Sequence, residues 1–208
     1  DHVAMRRLVN EQTEIGVLLA VPGLLVTLVL APLIIEVFYT NEFLPSVELL
    51  RWFVLGCLGR VISWPLGFVV LALGKARWFF ITETVSNTLH LGMVWLGLIT
   101  FGLQGVAIAF FALYLCYVGV VYGLAYKLIK FSWSTGLIRL LIVLLPTVFL
   151  VFISCLILPV EWATGIGVVT TAVASFFCVR ELAQRLGLDN RIIKIGLSIP
   201  GIRWIFRL

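Results

Sequence analysis

The residue with the most chemistry to explain is an arginine inside a long apolar run. Arg60 stands in Gly59-Arg60-Val61-Ile62-Ser63-Trp64-Pro65-Leu66-Gly67, with about thirteen mostly apolar residues before this position and about fourteen after it. If the run crosses a bilayer, Arg60 is near its middle. A charge there costs about 3 kcal/mol on insertion scales and more than about 10 kcal/mol on an isolated helix in simulations. On a helix, Gly56, Arg60, Ser63 and Gly67 share one face. The guanidinium thus sits among small and polar residues, turned toward a bundle interior or a wet cavity. A guanidinium keeps its proton and grips phosphate through two parallel hydrogen bonds, which suits an anionic ligand and not proton relay. The plainer alternative is a buried charge paired internally for packing.

A second polar stripe follows. Glu83, Asn87 and His90 are spaced i, i+4, i+7 and share a helical face. Asn87 and His90 reach roughly the depth of Arg60, within plausible contact of it. Glu83 is expected about 10 Å nearer the basic end of the helix at 1.5 Å per residue. The stripe fits either hydrogen bonds between packed helices or a polar path in which Glu83 and His90 change protonation and couple to an ion gradient. At the other membrane face Glu36 ends one apolar run and Arg51 opens the next, so a structural ion pair between them is expected. Substrate contact is assigned to Arg60, Ser63, Asn87 and His90. Cys57, Cys116, Cys155 and Cys178 are scattered singly, without metal-ligand or CxxC spacing, so no metal or cofactor is expected.

These residues need elements to hold them. Hydrophobic residues make up 62% of the 208-residue chain and charged ones 12%, against about 25% charged in a soluble domain. The composition describes an all-α integral membrane protein and excludes a nucleic-acid role for the net charge of +5. Six apolar segments, 15–38, 47–73, 78–100, 104–126, 137–158 and 162–180, are each long enough to span as a helix. Short connectors make sequential neighbours antiparallel. If all six span, thirteen of the fifteen Lys and Arg lie on one side, every one except Arg51 and Arg60, while the opposite loops carry Glu42, Glu48 and Glu161. By the positive-inside rule both ends are cytoplasmic.

Residues 1–14 then form a cytoplasmic lead-in, 15–181 a six-helix transmembrane lobe, and 182–208 a cytoplasmic interfacial tail. The tail is apolar but broken by Arg191, Lys194, Arg203, Arg207 and Pro200-Gly201, a pattern for amphipathic helices on anionic lipid headgroups. Pro22, Pro32, Pro65 and Pro146 fall inside spans and are expected to kink them. The chain opens on Asp1 and is expected to belong to a longer one. An enzyme acting on polyprenyl-phosphate glycans would need an acid–base set near the interface. Every outer loop is about ten residues or fewer and no Asp lies in a span, so no catalysis is expected.

From residue 5 to about 135 the chain resembles the second half of the polysaccharide flippases of the multidrug/oligosaccharidyl-lipid/polysaccharide exporter superfamily. The resemblance rests on Asn10-Glu11-Gln12 before a span, Pro22, Ala31-Pro32, Ser63-Trp64-Pro65-Leu66-Gly67, Gly74-Lys75, Glu83 with Asn87, and the stretch Gly102 to Phe110. It implies one lobe of a twelve-helix flippase, partnered by an N-terminal six-helix lobe of the same protein in the bacterial cytoplasmic membrane. The implied substrate is an undecaprenyl-diphosphate-linked oligosaccharide, an O-antigen or exopolysaccharide unit, moved from the cytoplasmic to the periplasmic leaflet by alternating access. Related members hold diphosphate with cavity arginines, one on the eighth span, the span matching that of Arg60. A drug/cation antiporter of the same superfamily is the nearer alternative, though it would favour an acidic cavity.

Overall fold

The computed structural model describes residues 1–186; the expected interfacial tail from residue 187 onward lies outside the described residues. Among the described residues there are six α-helices, α1 His2–Phe38, α2 Ser46–Ala72, α3 Ala76–Phe101, α4 Leu103–Ile129, α5 Thr135–Ile157 and α6 Val160–Leu186, with a 3-10 turn at Asn41–Phe43. Five of the six, all but α3, are long and apolar enough to cross a membrane. The chain is a multi-pass membrane protein by this measure.

Each expected apolar segment lies within or against one helix, but the helices run further. The lead-in is not separate: α1 begins at His2, with Asp1 as N-cap accepting from the Val3 amide at 2.9 Å. Thirty-seven residues at 1.5 Å each exceed the roughly 30 Å hydrocarbon thickness, so one end of α1 projects past it. Gly102, at φ 62°, turns the chain between α3 and α4 in one residue. Lys130 closes α4 in the left-handed conformation, φ 54°, and Ser134 caps α5 by accepting from the Leu137 amide at 3.0 Å.

Neighbouring residues fix the helix directions. Gly56 lies under Phe110 and Gly59 under Tyr114, so α2 and α4 run the same way. Gly97 meets Gly105 backbone to backbone, His90 stacks near Phe110, and Tyr117 bonds Glu83, so α3 runs opposite to α4 along its length. Two parallel helices joined by one helix oblige that helix to return across the same thickness. α3 therefore crosses the bundle although its composition falls short. The deficit comes from its own polar run, Thr82, Glu83, Thr84, Ser86, Asn87, Thr88 and His90. The threonines Thr82 and Thr88 return their hydroxyls to Trp78 and Thr84 carbonyls at 2.8 Å, which lowers their cost in lipid.

The main core lies between α1, α2, α5 and α6, built around Leu25, Leu28, Leu58, Leu144 and Val148. A second cluster joins Val9, Leu66, Val121, Ile129 and Phe131. α3 has no buried residue and packs almost wholly on α4.

The two ends of the bundle differ in charge. The end holding the start of α1, the α4–α5 link and the close of α6 is stitched by polar contacts. Asn10 donates to the Ser132 carbonyl at 3.1 Å and accepts from the Ser134 amide at 2.7 Å. Ser134 donates to Glu14 at 2.6 Å, and Glu14 pairs with Arg185. Nine of the described basic residues lie toward this end; the other two are Arg51 and Arg60.

Arg51 does not pair with Glu36. It is buried, 9% exposed, while Glu36 is exposed. Its Nε donates to the Leu28 carbonyl at 3.4 Å and its Nη1 to the Cys155 carbonyl at 2.9 Å. The Leu28 carbonyl lacks a helical donor because the residue four places on is Pro32, which has no N–H; the Cys155 carbonyl lacks one because it lies in the last turn of α5, ahead of Pro159. Arg51 thus ties α1, α2 and α5 by filling one gap that a proline leaves and one at a helix end.

Candidate functional site

Arg60 is the fifteenth of the 27 residues of α2, close to mid-height. The small face Gly56, Gly59, Gly67 lets α2 approach α4 closely; a Cβ at Gly59 would stand 3.0 Å from Tyr114. With α3 held on the other side of α4 by the Gly97–Gly105 contact, α2 and α3 touch each other sparingly. Between them a partly open cavity of about 130 Å³ remains, floored by α4. Arg60, Ser63, Trp64 and Phe68 form one wall, Phe79, Glu83, Ser86 and Asn87 the other, and Leu113, Tyr114 and Tyr117 the floor.

The Arg60 side chain is exposed and lies between two aromatic faces, its guanidinium carbon 5.5 Å from the Trp64 ring centre and 6.0 Å from that of Tyr114. Such contacts contribute about 0.5–1 kcal/mol where the cation is exposed. Among the described residues no carboxylate pairs with it; the ion pairs found are Arg7–Glu11, Arg185–Glu14 and Arg185–Glu181. The cation is therefore available at the cavity wall. Glu83, across the cavity, accepts a hydrogen bond from the Tyr117 hydroxyl, so the cavity holds one basic and one acidic side chain.

Of the expected site residues, Arg60, Ser63, Glu83 and Asn87 come together in this cavity, and His90 does not line it. The His90 ring sits 5.9 Å from that of Phe110, further along α3. Asn87 shares the cavity with Arg60 as expected, and Glu83, not His90, joins them there, because Tyr117 reaches from α4 to hold it. Ser63 and Asn87 are partly spent on their own helices. Ser63, 1% exposed, donates to the Arg60 carbonyl at 3.0 Å, and Asn87 donates to the Glu83 carbonyl at 2.8 Å. Among the described residues the Asn87 side-chain oxygen and the Ser86 hydroxyl have no hydrogen-bond partner, and both residues line the cavity.

Sequence reasoning missed Tyr114 and Tyr117, which frame the site, and the Asn10–Glu14 anchor. The signal for the tyrosines was their i, i+3 spacing beside the small-residue face of α4; that for the anchor was Asn10, Thr13 and Glu14 sharing a face at the edge of an apolar run. Among the described residues no cluster of His, Cys, Asp or Glu could hold a metal. Comparison with family models, curated proteins and solved structures finds no match.

Proposed function

We propose that the chain is one lobe of a flippase that passes an undecaprenyl-diphosphate-linked oligosaccharide from the cytoplasmic to the periplasmic leaflet of a bacterial inner membrane by alternating access, with the C-terminus cytoplasmic. The observation that carries this is Arg60: a mid-height guanidinium, unpaired among the described residues, on the wall of a partly open cavity. A charge kept at that depth, with no carboxylate within ion-pair distance among the described residues, gains most from a ligand that brings its own negative charge. The aromatic faces of Trp64, Tyr114 and Tyr117 suit the apolar lead of a polyprenyl carrier beside its diphosphate. The gathering of basic residues at one end supports the orientation. A six-helix lobe offers half of a central pathway, so an N-terminal lobe is the proposed partner, with anionic headgroups at the basic end.

Glu83 in the same cavity favours a second reading, a drug/cation antiporter of the same superfamily, in which the carboxylate holds the cation. Complementation separates the two. In a strain lacking its glycan flippase, full-length protein with Arg60→Ala is expected to lose at least about 90% of surface glycan at normal membrane abundance, and Arg60→Lys to retain part of it. Undiminished glycan in both variants, with drug resistance lost in Glu83→Gln, decides for the antiporter.

A further inference from the structure

A second cavity, of about 380 Å³, opens at the acidic end of the bundle, away from the Arg60 cavity. Arg51 and Arg60 are nine residues apart on α2, about two and a half turns, so they leave opposite sides of the helix. The second cavity is partly open and is lined by residues of α1, α2, α4, α5 and α6, Arg51 among them.

Its lining sets the buried Arg51 cation against a single carboxylate side chain, that of Glu48. Arg51 is 9% exposed and has no carboxylate within ion-pair distance among the described residues. Two of its guanidinium nitrogens serve the Leu28 and Cys155 carbonyls. Its Nη2 has no protein partner and is not sealed, since the buried side-chain atom left without a partner among the described residues is Thr171 Oγ1. The first turns of three helices also line the cavity: Val47 and Glu48 of α2, Gln104 of α4, and Val160, Ala163 and Thr164 of α6. The Val47 and Ala163 amides are already used, on the Leu44 carbonyl at 3.1 Å and the Pro159 carbonyl at 3.0 Å, so the helices contribute chiefly the positive ends of their dipoles. Glu48 opposes this charge from the rim, where its carboxylate accepts from the Gln104 side chain.

We infer that this cavity is a binding site for a small monovalent anion, a halide or a compact carboxylate, held by the free Nη2 edge of Arg51 with the α2, α4 and α6 N-termini around it. The anion supplies the counter-charge that the carbonyl partners of Arg51 lack. The site is independent of the Arg60 cavity and stands whether or not the chain moves lipid-linked glycans.

The test is thermal unfolding of the purified full-length protein in sodium bromide, sodium acetate and sodium gluconate at matched ionic strength. Bromide, acetate or both are expected to raise the midpoint saturably over gluconate, and the arm that does so identifies the class. Arg51→Lys is expected to abolish the saturable shift. Glu48→Gln, which leaves the carbonyl ties intact, is expected to lower the half-saturating concentration about tenfold, because it removes a like charge from the rim. Identical midpoints in the three salts overturn the site, as does a half-saturation in Glu48→Gln unchanged from wild type. Should Arg51→Lys fail to fold, the Glu48→Gln comparison decides alone.

Discussion

Two arginines on one helix solve the same problem in opposite ways. Arg51 is buried and has its guanidinium committed to backbone carbonyls of α1 and α5; Arg60 is exposed and touches the faces of two aromatic rings. A buried guanidinium need not seek a carboxylate if a proline or a helix end has left carbonyl oxygens without donors, because those oxygens would otherwise be buried unsatisfied at about 1–3 kcal/mol each. Pro32 and the end of α5 decide which role Arg51 takes. Among the described residues no such carbonyl holds the Arg60 side chain, which stays free at the cavity wall.

The largest effect expected from this contrast is on stability. Arg51→Ala strips the donors from two carbonyls in the core and should cost about 3 kcal/mol in unfolding measured in mixed micelles. A loss below about 1 kcal/mol would mean that water or Cys155, whose thiol lies 3.9 Å from the Leu28 carbonyl, already serves those oxygens. The tie to Pro32 can be isolated next. In a Pro32→Ala background residue 32 regains an N–H for the Leu28 carbonyl. Arg51→Ala should then cost about 1 kcal/mol less than in wild type, a coupling read from a double-mutant cycle. Strict additivity would detach Arg51 from the proline gap and leave its burial to the Cys155 carbonyl alone.

The contrast also marks how far the sequence speaks. Six helices follow directly from six apolar stretches, since apolar length is what lipid demands. Their true ends do not follow, because α1 and α6 continue past the lipid on side-chain bonds, Asn10 to Ser132 and Glu14 to Arg185, that hydropathy does not register. The small and polar face of α2 was legible from Gly56, Ser63 and Gly67, and Gly56 packs on α4 as such a face should, with Gly59 beside it. The Glu36–Arg51 pair was not, because similar depth does not make two residues neighbours. The missing information was that Arg51 turns inward, toward two oxygens left without a helical donor, one by Pro32 and one by the end of α5. Of the polar stripe on α3, Glu83 and Asn87 reach the cavity and His90 does not. That outcome depends on which α4 side chains rise between the helices, Tyr117 at Glu83 and Phe110 at His90. Spacing along one helix cannot supply it.

The smallest expected effect is at Arg60, and it sharpens the contrast most. Truncating Arg60 to Ala removes two cation–π contacts worth about 0.5–1 kcal/mol each at most in an exposed setting, and leaves no buried partner stranded. It also removes a charge from mid-bilayer depth, which is favourable by itself. These terms oppose each other, so the stability change should stay within about 0.5 kcal/mol of zero, several-fold below that of Arg51→Ala. Arg60→Cys, in a protein whose Cys57 and Cys116 are replaced by serine, should react with a charged, membrane-impermeant thiol reagent, since the side chain lines a cavity and not a sealed seam. An Arg60→Ala protein destabilised as much as Arg51→Ala, with Arg60→Cys unreactive, would show that the full-length protein clamps this guanidinium as firmly as its neighbour. Both arginines would then be structural ties, and the cavity would have no cation to offer a diphosphate.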